Sequence, residues 1–249
     1  MIRFDRKAVL VTGGTVGFGL ATAQLAYELG AMVAVTGRRA DRGRQAAAQI
    51  GPEALFLAAD VSEESAVQRS IADVIARFGR LDVLVNNAGV IHRTPIIDET
   101  VAAWDTLLSI NLRGVFLNCK HALPHLIASR GAIVNVSSNL AFGTPTGRTP
   151  AYDVSKAGVL ALTRAVAVRH GPDGVRANAV CPAFVATDLN RDVWEAWTDA
   201  QRTTVTERFP LRRMGTCDDV ARAILFLASD AAAWITGVAL PVDGGVLAT

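Results

Sequence analysis

The 249 residues, 51% hydrophobic and 19% charged, supply enough apolar side chains for a substantial core and exclude a disordered or fibrous chain. With 25 basic and 23 acidic residues the formal net charge is +2, spread without a long block of either sign, so nucleic acid is not an expected partner. No run of ~20 apolar residues exists to span a bilayer. The N-terminus lacks the apolar core and cleavage site of a signal peptide. Cys119, Cys181 and Cys217 are widely separated, without metal-ligand spacing, and read as reduced thiols of a cytoplasmic protein. His121 and His125 share an i, i+4 spacing but have no third ligand, so no metal is expected.

Along the chain, β-branched apolar runs at 8–13, 32–37, 54–60, 81–89, 131–138, 175–182 and 237–245 alternate with stretches of helical period at 18–30, 63–79 and 102–130. Nearly continuous hydrophobicity in the early runs suits strands covered on both faces. The rhythm predicts a doubly wound α/β fold, a parallel sheet with helices on both faces. No linker, repeat or low-complexity segment divides it, so residues 1–249 read as one domain. In such sheets ligands collect beyond the carboxyl ends of the strands, which is where the chain puts its glycines, amides and hydroxyls.

"TGGTVGFG" (12–19) follows the first strand and opens the first helix. Gly13, Gly17 and Gly19 permit a tight turn, a close backbone approach to a pyrophosphate and a helix N-terminus that favours an anion. The second strand ends "VTGRR": Gly37 stands where an NAD site commonly carries an acid for the ribose 2'-hydroxyl, and Arg38 and Arg39 follow. That pattern points to NADP rather than NAD, with Arg38 on the 2'-phosphate. Asn111 is an awkward polar residue in the apolar stretch "LLSINLRGVF", read either as a locally satisfied hydrogen bond or as a kink. Tyr152 and Lys156 sit four apart at the start of a helix, hence on one face.

Together "TGGTVGFG", "NNAG" (86–89), Asn111, "NVSS" (135–138), "YDVSK" (152–156) and "PAFVATD" (182–188) make the chain resemble the short-chain dehydrogenase/reductase family over essentially its whole length. The resemblance implies a seven-stranded Rossmann-type sheet of order 3-2-1-4-5-6-7 and hydride transfer between a nicotinamide cofactor and a small-molecule alcohol or ketone. It assigns Asn111, Ser138, Tyr152 and Lys156 as the catalytic set. Around the cofactor it implies Gly13, Thr15, Gly17, Phe18, Gly19, Asp60, Val61, Asn87, Ala88, Gly89, Pro182, Val185 and Thr187, with Arg38, Arg39, Tyr152 and Lys156. Asp60 would hold the adenine, Asn87 would support the fourth strand, and Val185 and Thr187 would position the carboxamide. Two features depart from the family pattern: Pro182-Ala183 replaces Pro-Gly, and Ser138 and Tyr152 stand one residue further apart than in many relatives, the extra residue being placed in the loop 139–151.

Reducing a ketone needs a proton at oxygen while the alkoxide is stabilised. Tyr152 is the candidate acid, its ordinary pKa of about 10 leaving only ~0.1% tyrosinate at pH 7. Bringing that value near 7 takes about 4 kcal/mol, and Lys156 is placed to supply much of it. Ser138 would hydrogen-bond the substrate oxygen, and a kink at Asn111 would expose a backbone carbonyl to a water leading to Lys156. The helix continues "VLALTRAVAV", with no wet face, which suggests subunit contact; the family is often tetrameric through this helix and the stretch 104–129. Residues 188–214 break the strand and helix rhythm and suggest a substrate lid. Trp194, Trp197 and Phe209 could line a pocket, or the tryptophans could anchor the lid helix; His92 and Arg93 could face a polar or acidic substrate or be solvated.

Overall fold

The computed structural model describes residues 2–143, 147 and 149–249. Seven strands, β1 (Ala8–Thr12), β2 (Met32–Gly37), β3 (Leu55–Ala58), β4 (Val83–Asn86), β5 (Ala132–Val136), β6 (Arg176–Pro182) and β7 (Ala239–Val242), form one sheet in the order β3-β2-β1-β4-β5-β6-β7. Every pairing is parallel. Each apolar run therefore yields a strand, trimmed at its ends. The trimming has a cause at "NNAG": Asn87 leaves the ladder after Asn86 because its side chain turns back to β1, donating to the carbonyls of Thr12 and Gly13 at 3.0 Å each.

The central strands are apolar on both faces because both faces are covered. On β1, Val9 and Val11 point to one core, which takes in α1 (Gly17–Glu28) and α9 (Cys217–Ala228). Leu10 points to the other, formed with α3 (Glu64–Phe78), α5 (Gly114–Ser129) and α6 (Pro150–His170). α2 (Ala40–Ile50) joins the first core through Ile50. Strand alternation thus divides the apolar residues between two helical layers. Among the described residues no helix is long and apolar enough to cross a membrane.

The stretch 102–130, read as one helix, is interrupted. α4 (Val101–Leu108) passes into a π turn, Ser109–Arg113, before α5 begins. Asn111 lies at the middle of that turn and is fully buried. The segment 188–214 forms a 3-10 turn (Asp188–Asn190), α7 (Arg191–Trp194) and α8 (Asp199–Glu207), with Thr198 and Gln201 closing a capping box at the start of α8. Part of the loop 139–151, where the extra residue before Tyr152 was placed, lies outside the described residues.

Candidate active site

At the carboxyl end of β1 the backbone enters the left-handed region at Gly13 (φ 63°) and Gly17 (φ 56°), which favours glycine. A Cβ on Gly13 would stand 2.8 Å from the Cα of Ala88, so the turn is seated directly on the β4 loop. Val16 enters α1 with no side-chain cap and no acid in the first turn, leaving the helix amides and dipole open to an anion. A pyrophosphate fits this cradle, which side chains would otherwise fill. Gly19 serves it from behind: a Cβ there would meet Asn87 Nδ2 and the Gly13 carbonyl at 2.4 Å. Thr12 Oγ1 completes the junction by accepting from the amides of Asn87 (3.0 Å) and Ala88 (3.2 Å).

At the end of β2, a Cβ on Gly37 would approach Thr15 Cγ2 to 2.8 Å. A side chain at this position would require Thr15 to shift. Arg38 is largely exposed and reaches Asp60 only at 4.0 Å. Asp60 is oriented by Ser62, whose amide and hydroxyl donate to Oδ1 at 2.9 and 2.7 Å.

Across the sheet, Tyr152 and Lys156 point from the first turns of α6 into the same cavity, both buried. Ser138 lines the same cavity, where its Oγ accepts from the Leu140 amide at 3.2 Å. Burial pushes the phenol up to about 12, against the lowering by Ser138, and pushes the Lys156 ammonium down to about 8. Lys156 Nζ donates to the Val136 carbonyl at 2.8 Å and lies 5.6 Å from the Tyr152 ring centroid. Desolvation is the largest influence on the phenol, and the expected depression of its pKa is not present in this arrangement. Asn111 is satisfied on every side: Oδ1 accepts from the Val90 amide (2.8 Å), and Nδ2 donates to the Val90 carbonyl (2.8 Å) and to Ser155 Oγ (3.2 Å). Its hydrogen bonds reach distant segments rather than its own helix, and it lies in a π turn.

The cavity, about 1110 Å³, is lined by every proposed site residue except Gly19 and Asn111, which stand behind its wall. Ala183 follows Pro182 without entering the left-handed region, so glycine is not required there. Val185 is held by an isolated bridge to Gly215, and Thr187 faces Gly17 across the cleft. The segment 188–214 does cover the cavity, and its two tryptophans divide the expected roles. Trp197 lines the space and packs on Phe184 with ring centroids 4.8 Å apart, whereas Trp194 donates to the Thr187 carbonyl at 3.3 Å and anchors the segment. Phe209 lines the cavity as well. Arg93 does so too, and His92 turns away toward Glu99, 3.6 Å from it.

A buried chain of amides went unnoticed in the sequence. Asn86 donates to Asn135 (2.8 Å), Asn135 to Thr163 (2.9 Å), and Thr163 to the Val159 carbonyl (2.7 Å), tying β4 and β5 to α6. With Ser137 donating to the Lys156 carbonyl at 2.8 Å, it fixes the helix that carries the pair. The only hint in sequence was polar residues inside apolar runs.

A family model described as enoyl-(acyl carrier protein) reductase matches residues 13–247. The chain is 41% identical over 249 residues to cis-4-hydroxycyclohexanecarboxylate dehydrogenase of Sinomonas cyclohexanicum, covering 98% of each protein. It is 36% identical over 253 residues to meso-2,3-butanediol dehydrogenase of Serratia marcescens, covering all of this chain and 97% of that one. The crystal structure of gox2181 superposes with a TM-score of 0.94 at 31% identity, covering 99% of this chain and 98% of the other. Similarity of this extent, on a sheet of the expected order, makes the chain a member of the short-chain dehydrogenase/reductase family, an oxidoreductase between CH–OH and C=O groups with a nicotinamide cofactor.

Proposed function

We propose that this chain is an NADP(H)-dependent oxidoreductase interconverting a secondary alcohol and a ketone, with Tyr152 as general acid and base. The observation that carries the reading is the meeting of Tyr152, Ser138 and Lys156 in a cavity whose far end is the uncapped start of α1. The similar proteins act, by their names, on a hydroxycyclohexanecarboxylate and a butanediol, both secondary alcohols. A bound nicotinamide supplies or accepts the hydride. The glycine turn and α1 amides would hold the pyrophosphate, Asp60 the adenine, Arg38 and Arg39 the 2'-phosphate, and Val185 and Thr187 the carboxamide.

Around the substrate oxygen the chain's own groups divide the work. Ser138 donates to the oxygen as it gains charge, and Tyr152, protonated at neutral pH, delivers the proton. Lys156 keeps positive charge beside the phenol and orients the ribose. Asn111 is a positioning residue: the π turn around it would expose a backbone carbonyl to a water leading to Lys156, and Gly89 lies against both side chains, a Cβ there standing 3.3 Å from Asn111 Oδ1 and 3.5 Å from Lys156 Nζ. NAD is the second reading, favoured by the ion pair that engages Arg38 with Asp60; the exposure and length of that pair make it weak.

Residues 1–249 act as one cytoplasmic domain, with strands drawn from Ala8 to Val242, and assemble as a homotetramer through α6 and α5. Tyr152→Phe keeps the ring and its packing but removes the proton. Turnover should fall by at least ~100-fold with NADPH affinity within about twofold in calorimetric titration. Undiminished turnover would refute the assignment, and intact binding in a wild type that turns over no ketone or alcohol would favour a sensor of the NADP pool.

A further inference from the structure

The cavity is not uniform in charge. Its adenosine end carries Arg38, Arg39 and Asp60, and Lys156 is engaged with the Val136 carbonyl. Elsewhere the lining is rich in apolar side chains, Ile91, Leu140, Phe184, Trp197 and Phe209, with Ile91 and Leu140 packed near Tyr152, and it also carries Asn139, Thr149 and Arg208. Arg93, from the loop after β4, also lines the cavity, with its side chain 34% exposed. Its positive charge favours the Tyr152 tyrosinate, an influence that desolvation of the phenol outweighs. Its ion pair is with Asp192 of α7, a 3.4 Å contact in which the carboxylate is 71% exposed. Such a solvated pair contributes little. A partly exposed guanidinium lining a cavity rich in apolar side chains, lightly held by an exposed carboxylate, is poised to exchange that partner for a better one.

We infer that Arg93 is the specificity residue for an anionic substrate, a compact hydroxy or oxo carboxylate whose apolar skeleton spans from the Tyr152–Ser138 pair to the Arg93 guanidinium. This rests on the carbonyl-reductase reading above. The carboxylate replaces Asp192 on Arg93, and the apolar side chains hold the skeleton between the two polar ends. A neutral ketone of the same shape fits but leaves Arg93 with only the rim partner.

The test uses a non-reacting probe, so that it does not depend on turnover. Binding of cyclohexanecarboxylate and of uncharged cyclohexanecarboxamide is measured by calorimetry on the full-length protein saturated with NADPH. The acid should bind at least tenfold more tightly than the amide. Arg93→Gln should bring the two within about twofold while Arg93→Lys keeps part of the preference, and NADPH affinity should not change in either variant. Asp192→Asn removes the competitor and should tighten the acid severalfold; a loss of affinity there would mean that the pair merely holds α7 in place, and would overturn the inference. Equal or absent binding of both probes would overturn it as well. Turnover of 4-oxocyclohexanecarboxylate, measured with Tyr152→Phe, separates the two readings: lost turnover without acid preference removes only the Arg93 assignment, and acid preference with undiminished Tyr152→Phe turnover removes only the Tyr152 assignment.

Discussion

Tyr152 and Lys156 illustrate how burial competes with charge at a single pair. A phenol held at about 12 stays protonated where an ordinary one ionises, so between pH ~10 and 12 the unfolded chain has lost a proton that the native chain keeps. Stability contributed by this group therefore declines as pH rises through that window. Lys156 has the opposite sign: with its native value near 8 and its ordinary one at 10.5, the unfolded chain holds the extra proton, and stability rises with pH between them. The chain has two tyrosines, so Tyr27→Phe leaves Tyr152 as the only phenol. In that variant, free of cofactor, stopped-flow absorbance near 295 nm should show ionisation well above pH 10; a midpoint at or below 10 would mean that Lys156 already outweighs desolvation. Arg38 is the second residue with a sharp expectation. A charge-assisted hydrogen bond to a phosphate is worth about 1.5–3 kcal/mol, so Arg38→Ala should weaken NADPH by roughly 10- to 100-fold and leave NADH nearly unchanged. Equal weakening of both in calorimetric titration would assign Arg38 to the Asp60 pair alone.

At the scale of elements, the π turn at Ser109–Arg113 binds the α4–α5 hairpin to the site. Asn111 uses both ends of its amide on the Val90 backbone, while Gly158 of α6 brings Leu112 so close that a Cβ would lie 2.9 Å from Leu112 Cδ2. Asn111→Ala strands an amide and a carbonyl at Val90, at a cost of about 2 kcal/mol. Urea unfolding should show a loss of that order, and activity should drop with it; a variant of wild-type stability would show that Val90 finds other partners. This element also marks where the sequence became illegible. The π turn at Ser109–Arg113 left no mark because its flanks, rich in apolar residues on more than one face, hide the shift of face that one extra residue produces. Strands were legible because their apolar runs are short and bounded by glycine or asparagine. Tyr152, Lys156 and the glycine turn were legible because each works through local spacing. The Asn86–Asn135–Thr163 chain and the division of labour between Trp194 and Trp197 depend on contacts between distant segments, which no local pattern encodes.

For the whole molecule the open question is what covers the outer face of α6. Its inward residues, among them Tyr152, Lys156 and Val159, are buried, yet Val154 and Val168 on the outer side are 50% and 80% exposed, and Phe116 of α5 is 47% exposed. Ala157, Ala161 and Ala165 share that outer side, a stripe without bulk that would let another helix approach closely. An outer face with this many exposed apolar and small side chains, Arg164 and Arg169 aside, asks for a partner, and a second copy of the same face satisfies it symmetrically. Pairing through this face alone makes a dimer, and the proposed homotetramer joins two such dimers through a second face, so light scattering should report a mass near four times 26.3 kDa. Val168→Glu tests the contact without disturbing the fold: in an isolated chain the new carboxylate would stand in water and cost within about 0.5 kcal/mol, whereas in an assembled face it would be buried without a partner. The variant should dissociate into smaller species with unchanged circular dichroism and a lower melting temperature, because each subunit loses the stabilisation that association supplies. An unchanged mass would move the interface elsewhere, and with it the assumption that the helix carrying Tyr152 and Lys156 is braced from outside as well as by the sheet.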